Sequence, residues 1–114
     1  MPAAPPLNKS TVARRLRQAR QRRDLPQDKL GIMAGLDESS SSARMSRYES
    51  GIHEPPFQFA EALARVLDIS AAYFYCSDDR LSEIIRLYSD MADWKRDLLF
   101  NSAISISKTP TGTE

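Results

Sequence analysis

The sequence predicts an all-α protein, and three observations carry that expectation. Apolar residues recur three or four positions apart through successive stretches, the spacing that lines up one face of a helix. No stretch alternates apolar with polar residues between hairpin turns, so no strand is required. Pro26, Gly35, Gly51 and Pro56 stand at the edges of the periodic stretches, where helices start and stop.

Each element follows from local rules. "MPAAPPLN" is proline-rich and aperiodic, and a disordered arm is expected over residues 1–9. Ser10 is placed to cap a helix running to Arg23, in which Val12, Leu16 and Ala19 form a narrow apolar stripe among arginines. Leu25-Pro26 breaks it, because proline disfavours helix at the residue before it. Pro26 also suits the first position of a second helix, "QDKLGIMAG", whose Leu30, Met33 and Ala34 share a face and which Gly35 ends. After Gly51, "IHEPPFQFAEALARVLDIS" is the clearest amphipathic segment: Pro56 starts it, and Phe59 or Ala60, Leu63, Val66 and Leu67 point one way. Ser70 caps a short helix, "AAYFY". Helical spacing resumes at Arg80 with Leu81, Ile84, Ile85, Leu87 and Tyr88, is interrupted at "SDMAD", and continues through Trp94, Leu98, Leu99 and Ile104. The expected organisation is one folded unit over 10–76, a helical extension over 77–107 and a flexible tail over 108–114.

Composition bounds the function. A chain of 114 residues, 41% hydrophobic and 27% charged, buries one modest core. Its apolar runs fall well short of the roughly 18 to 20 residues that span a bilayer, and its start lacks the charged-then-apolar layout of a secretory signal, so a cytoplasmic protein without membrane association is expected. The single cysteine, Cys76, reads as a partly buried structural thiol, with redox or dimer-bridging roles as the alternative. One histidine and one cysteine provide no zinc-ligand cluster, and no cofactor is implied. Asp78-Asp79 is a paired carboxylate with no nucleophile, metal set or glycine-rich phosphate loop beside it, so an enzyme is not expected. No second domain remains to hold an effector pocket, and no small-molecule ligand is indicated.

The net charge of +1 hides an asymmetry. Residues 1–53 hold ten bases against five acids, a net +5, and residues 54–114 hold six against ten, a net −4. A basic half meeting a polyanion explains this; so does a solvated arginine face on the first helix.

The run "GLDESSSSARMSRYESG" raises a sharper possibility. Asp37 or one of Ser39 to Ser42 can cap a helix reaching Ser50, with Met45 and Tyr48 turned inward and Gly51 as its end. Ser42, Ala43, Arg44, Ser46 and Arg47 then occupy its other faces. Small side chains in a first turn allow close approach to a surface, and arginines supply paired donors that match guanine edges or phosphates.

The ordered signals "RLRQARQRRDLPQDKLGIMAG", "RMSRYESG" and "PPFQFAEALARVLDIS" resemble the Cro/phage-repressor-like, or XRE-family, helix-turn-helix domain across residues 10–75. The resemblance implies a five-helix repressor-like DNA-binding domain with a C-terminal helical extension, and a sequence-specific regulator, a repressor, whose recognition helix over residues 40–50 enters the major groove of double-stranded DNA. It implies DNA contacts by Gln27, Ser40, Ser41, Ser42, Ala43, Arg44, Ser46, Arg47 and His53. Arg20 and Glu49 match a structural ion pair between the first and third helices. Nine residues separate Gly35 from Met45, more than the family has, so either the turn is longer or the recognition helix starts earlier. Gly31 stands where alanine is usual and permits close helix contact.

Repressors of this class present two recognition helices about 34 Å apart, so a homodimer is expected. Ile84, Leu87, Tyr88, Met91, Trp94 and Leu98, with Leu99, are the candidate dimer surface, or else they pack on the protein's own first and fifth helices. The competing function is an antitoxin or protein-interaction module whose C-terminal helices bind a different protein.

Overall fold

The computed structural model describes residues 9–110, and the whole of residues 1–8, including most of the expected N-terminal arm, and the tail from 111 onward lie outside the described residues. Seven helices follow one another: α1 (Lys9–Arg22), α2 (Gln27–Met33), α3 (Glu38–Ser50), α4 (Phe57–Leu67), α5 (Ala72–Tyr75), α6 (Asp79–Ser89) and α7 (Asp93–Lys108). No strand occurs among the described residues, in accord with the all-α expectation.

Helix boundaries obey the local chemistry with small displacements. Ser10 lies inside α1, not at its cap, since the helix already includes Lys9. Pro26 and Pro56 occupy the positions immediately before α2 and α4, in extended backbone, where a missing N–H costs nothing. Gly51 ends α3 at φ +82°, the left-handed conformation that a Cβ disfavours. Ala71 stands at the N-cap of α5, and Ser70, the expected cap, lies one residue earlier with its Oγ accepting the N–H of Ala72 at 3.2 Å.

The core is one cluster. Val12, Leu16 and Ala19 of α1 meet Leu30 of α2, Leu36 of the turn after it, Met45 and Tyr48 of α3, Ala60, Leu63, Ala64 and Leu67 from α4, and Tyr73 and Phe74 from α5. Met33 does not join it: the side chain is 60% exposed, because the short α2 turns only Leu30 and Gly31 inward.

Gly31 sets how closely α2 and α3 pack. A Cβ on it would strike the Ser41 hydroxyl and come within 2.7 Å of Met45 Cγ. The turn between the two helices is short, and the surplus residues lengthen α3 at its start rather than the turn. Asp37 precedes α3 in extended backbone, and its carbonyl accepts the N–H groups of Ser40 and Ser41.

Beyond α5 the character changes. No residue of α7 is buried, and the radius of gyration, 16.7 Å, exceeds the roughly 13 Å of a compact chain of this length. Polar ties connect α6 to α1. Arg15, only 3% exposed, donates to the carbonyls of Cys76 and Ser77 and to Asp79, while Arg14 donates to Asp79, and Arg22 and Arg23 both reach Asp90.

Candidate nucleic-acid interface

α3 is amphipathic in an unusual way: its inner face carries Ser41, Met45, Tyr48 and Glu49, and its outer face carries small polar residues and arginines. Ser42, Ala43, Arg44, Ser46 and Arg47 are all exposed, so the outward face has the residues expected of it. Among the described residues Arg47 makes no ion pair or side-chain hydrogen bond. Arg44 donates one bond, to the Tyr48 hydroxyl at 3.1 Å.

Four expected contacts are placed otherwise or at the margin. Ser41 is fully buried, and its hydroxyl donates to the carbonyl of Asp28 at 2.7 Å. It lies on the α2 side of α3, over Gly31, and cannot face a ligand. Four residues before Met45 and seven before Tyr48, it shares their inward face, so helical spacing itself turns it away from the outer surface. Ser40 is half-buried, with its hydroxyl directed to the Asp37 carbonyl. Gln27 is also half-buried, and its amide nitrogen donates to Glu49 Oε1 at 3.1 Å, which ties it to the buried carboxylate. His53 is exposed beside α3, its backbone N–H held by the carbonyl of Arg47 at 3.2 Å. Arg44, Arg47, Tyr48, His53, Glu54 and Pro56 line one open cleft of about 590 Å³ between the end of α3 and the loop before α4.

The supporting frame is charged and closed. Glu49, 2% exposed, accepts Arg20 Nε at 2.6 Å and a terminal Arg20 nitrogen at 2.9 Å, while Arg20 also donates to the carbonyl of Leu25. The Glu49 hydrogen bond, set against partial burial, raises the pKa of Arg20 above its ordinary value. Arg17 donates to the Glu49 carbonyl at 2.8 Å and remains half exposed. This cluster links α1, α2 and α3, and thereby holds α3 in place from behind.

The ties of the other arginines in and just after α1 escaped sequence reasoning. Arg14, Arg22 and Arg23 are exposed yet ion-paired, and Arg15 is buried, so all four are engaged with the acidic half of the chain. Asp79, which reads from sequence as a bare carboxylate pair with Asp78, is the acceptor shared by Arg14 and Arg15, Asp90 is the one shared by Arg22 and Arg23, and Asp78 caps α6 by accepting the N–H groups of Arg80 and Leu81. The only sequence signal was the charge asymmetry itself, since partners more than 60 residues apart show no local spacing.

The apolar residues of the extension are open. Ile84, Leu87, Tyr88, Trp94 and Leu98 are between 41% and 65% exposed, whereas Ile85 alone of α6 packs against the core cluster. Met91, Trp94, Leu98 and Leu99 line an apolar cleft with Lys95 and Ser102. α6 touches α5, and Met91 and Leu99 are half-buried, but the other five side chains of the set stay exposed. Among the described residues no helix is long and apolar enough to cross a membrane, and no group of three or more His, Cys, Asp or Glu could hold a metal ion.

Known proteins bear on these observations. The family described as "Helix-turn-helix domain" matches residues 11–72, more than half of the chain and the stretch from α1 to the start of α5. Among solved structures, the transcriptional regulator BswR is similar at a TM-score of 0.76 and 38% sequence identity, over 82% of this chain and 92% of that one. No curated protein matches. With the two-helix turn, the outward arginines and this match together, the chain belongs to the helix-turn-helix family of DNA-binding domains.

Proposed function

We propose that the protein is a sequence-specific transcriptional regulator, a repressor, which binds double-stranded DNA as a homodimer with α3 in the major groove. The observation that carries this reading is the outward face of α3, where Ser42, Ala43 and Ser46 permit close approach while Arg44 and Arg47 extend beside them. Arg47, without a protein partner among the described residues, keeps its donor fork available for a guanine edge. His53 and exposed Arg17 flank this face and suit phosphates, which supply affinity and register without sequence information. Ser41 and Gln27 belong to the frame behind the reading surface. Similarity to BswR, itself a transcriptional regulator, agrees with the regulatory role.

The exposed apolar set on α6 and α7 supports self-association, because soluble monomers rarely leave so many large apolar side chains in water together. A symmetric pair also answers the two-fold symmetry of a DNA site with two half-sites. The same exposed surface favours a second reading, an antitoxin or interaction module whose α6 and α7 bind a different protein.

Selection of bound sequences from random DNA, combined with a measured solution mass, tests the proposal. The expected result is a dimer that enriches a two-half-site sequence, with Arg47→Ala costing about 1 to 3 kcal/mol and relaxing specificity at one position in each half-site. A monomer that enriches nothing would favour the interaction module.

A further inference from the structure

Arg44 and Tyr48 lie one turn apart on α3, on either side of the boundary between its buried and exposed faces. Tyr48 is 6% exposed, and its ring stands against Phe59 with centroids 5.8 Å apart and the planes tilted by 41°. Its hydroxyl emerges at the wall of the cleft that Arg44, Arg47 and His53 line, and accepts an Arg44 terminal nitrogen at 3.1 Å. A ring fixed in the core thus delivers an acceptor to the outer surface. Among the described residues Arg44 is the hydroxyl's hydrogen-bond partner, and Arg47 has no equivalent restraint.

We infer that Tyr48 is a positioning residue for DNA reading: its hydroxyl holds the Arg44 guanidinium over the C-terminal half of the recognition helix, presenting it to a base edge in one orientation. The inference rests on the reading of α3 as a recognition helix. Arginine loses much rotamer freedom when ordered, so a restraint present before binding removes part of that loss from the encounter with DNA. The bond to Tyr48 uses one of five guanidinium N–H donors and leaves enough for a bidentate pair with guanine. The packing of the ring against Phe59 does not need the hydroxyl, which separates the two roles of the residue.

The test compares Tyr48→Phe, Arg44→Ala, their double variant and Arg47→Ala. Three quantities are read: binding to a panel of single-base changes in the selected site, the denaturation midpoint, and the ¹⁵N relaxation of the Arg44 side-chain Nε in the free protein. Tyr48→Phe is expected to keep the midpoint and the salt dependence of binding. It is expected to lower discrimination about 3- to 10-fold at the base pairs that Arg44→Ala also relaxes, the size of one hydrogen bond, to add nothing in the Arg44→Ala background, and to loosen Arg44 Nε. A uniform loss across all sites, additivity with Arg44→Ala, or an unchanged Arg44 Nε would overturn the inference. If Arg47→Ala relaxes discrimination and Arg44→Ala does not, the inference fails while the DNA-reading proposal stands; if neither does, the proposal fails with it.

Discussion

Glu49 of α3 and Arg20 of α1 form a two-point ion pair, at 2.6 and 2.9 Å, around a carboxylate that is 2% exposed. Gln27 adds a third donor at 3.1 Å, so the buried charge is both paired and hydrogen-bonded. Removing one partner strands the other. Glu49→Ala is therefore expected to cost about 3 to 5 kcal/mol, measured by urea denaturation, whereas adding Arg20→Met to it recovers part of the loss because no unpaired charge remains. A cost below about 1 kcal/mol for Glu49→Ala, the level of a surface pair, would show that the carboxylate is effectively solvated.

Gly31→Ala tests the close packing of α2 on α3. Alanine gains about 1 kcal/mol of helix propensity over glycine. Against that, its Cβ would overlap the Ser41 hydroxyl, which is held to the Asp28 carbonyl, and would crowd Met45 Cγ at 2.7 Å. Overpacking of this kind costs about 1 to 3 kcal/mol, so the net effect on the denaturation midpoint is expected to be destabilising. A stabilised variant would mean that α3 can move away freely.

Asp79 gives the junction between α1 and α6 a pH dependence. Its exposed carboxylate accepts Arg14 at 2.9 Å and Arg15 at 2.8 Å, and these bonds, Arg14's first, hold its pKa below the ordinary value. Glu83, held down by its bond from Arg86, acts in the same direction. Unfolding frees the arginines, so the unfolded carboxyl takes up its proton at a higher pH than the folded one. The contribution is therefore fully present above the ordinary carboxylate value, about pH 4, and is lost as the pH falls through the lowered folded value. The stability difference between wild type and Asp79→Asn is expected to be flat near neutrality and to shrink below about pH 4. A difference that persists unchanged through that range would remove Asp79 from the linkage.

Leu98, 60% exposed on α7, probes the apolar extension. In a monomer Leu98→Glu replaces an exposed side chain and changes stability by less than about 0.5 kcal/mol. In the proposed dimer it places a charge in the contact, so light scattering should show monomers while circular dichroism keeps the full helix signal. A variant that remains dimeric would place the contact elsewhere.

The helices were largely legible because their signals are local. Val12, Leu16 and Ala19, or Leu63 and Leu67, reveal a buried face by spacing alone, and Gly51 marks a helix end by its tolerance of positive φ. The outward face of α3 was legible too, since Arg44 and Arg47 are counted back from inward Tyr48 on the same helix. Ser41, seven residues before Tyr48, falls on the inward face by the same count, and the space above Gly31 is what admits its hydroxyl there. Gln27 looks outward from sequence, and only the arrival of Glu49 from another helix draws its amide inward.

By itself, then, the sequence determined an all-helical chain, the order of its helices, the motif that joins α2 to α3 and which side of α3 carries arginine, all of which depend on residues within one or two turns of each other. Tertiary structure alone decided that Arg14, Arg15, Arg22 and Arg23 answer Asp79 and Asp90, that the Gln27 amide meets Glu49 and that the apolar side chains of α7 remain largely uncovered by the described residues. Charge pairing and burial depend on distances between segments remote in the chain, and those distances exist only once the helices have packed.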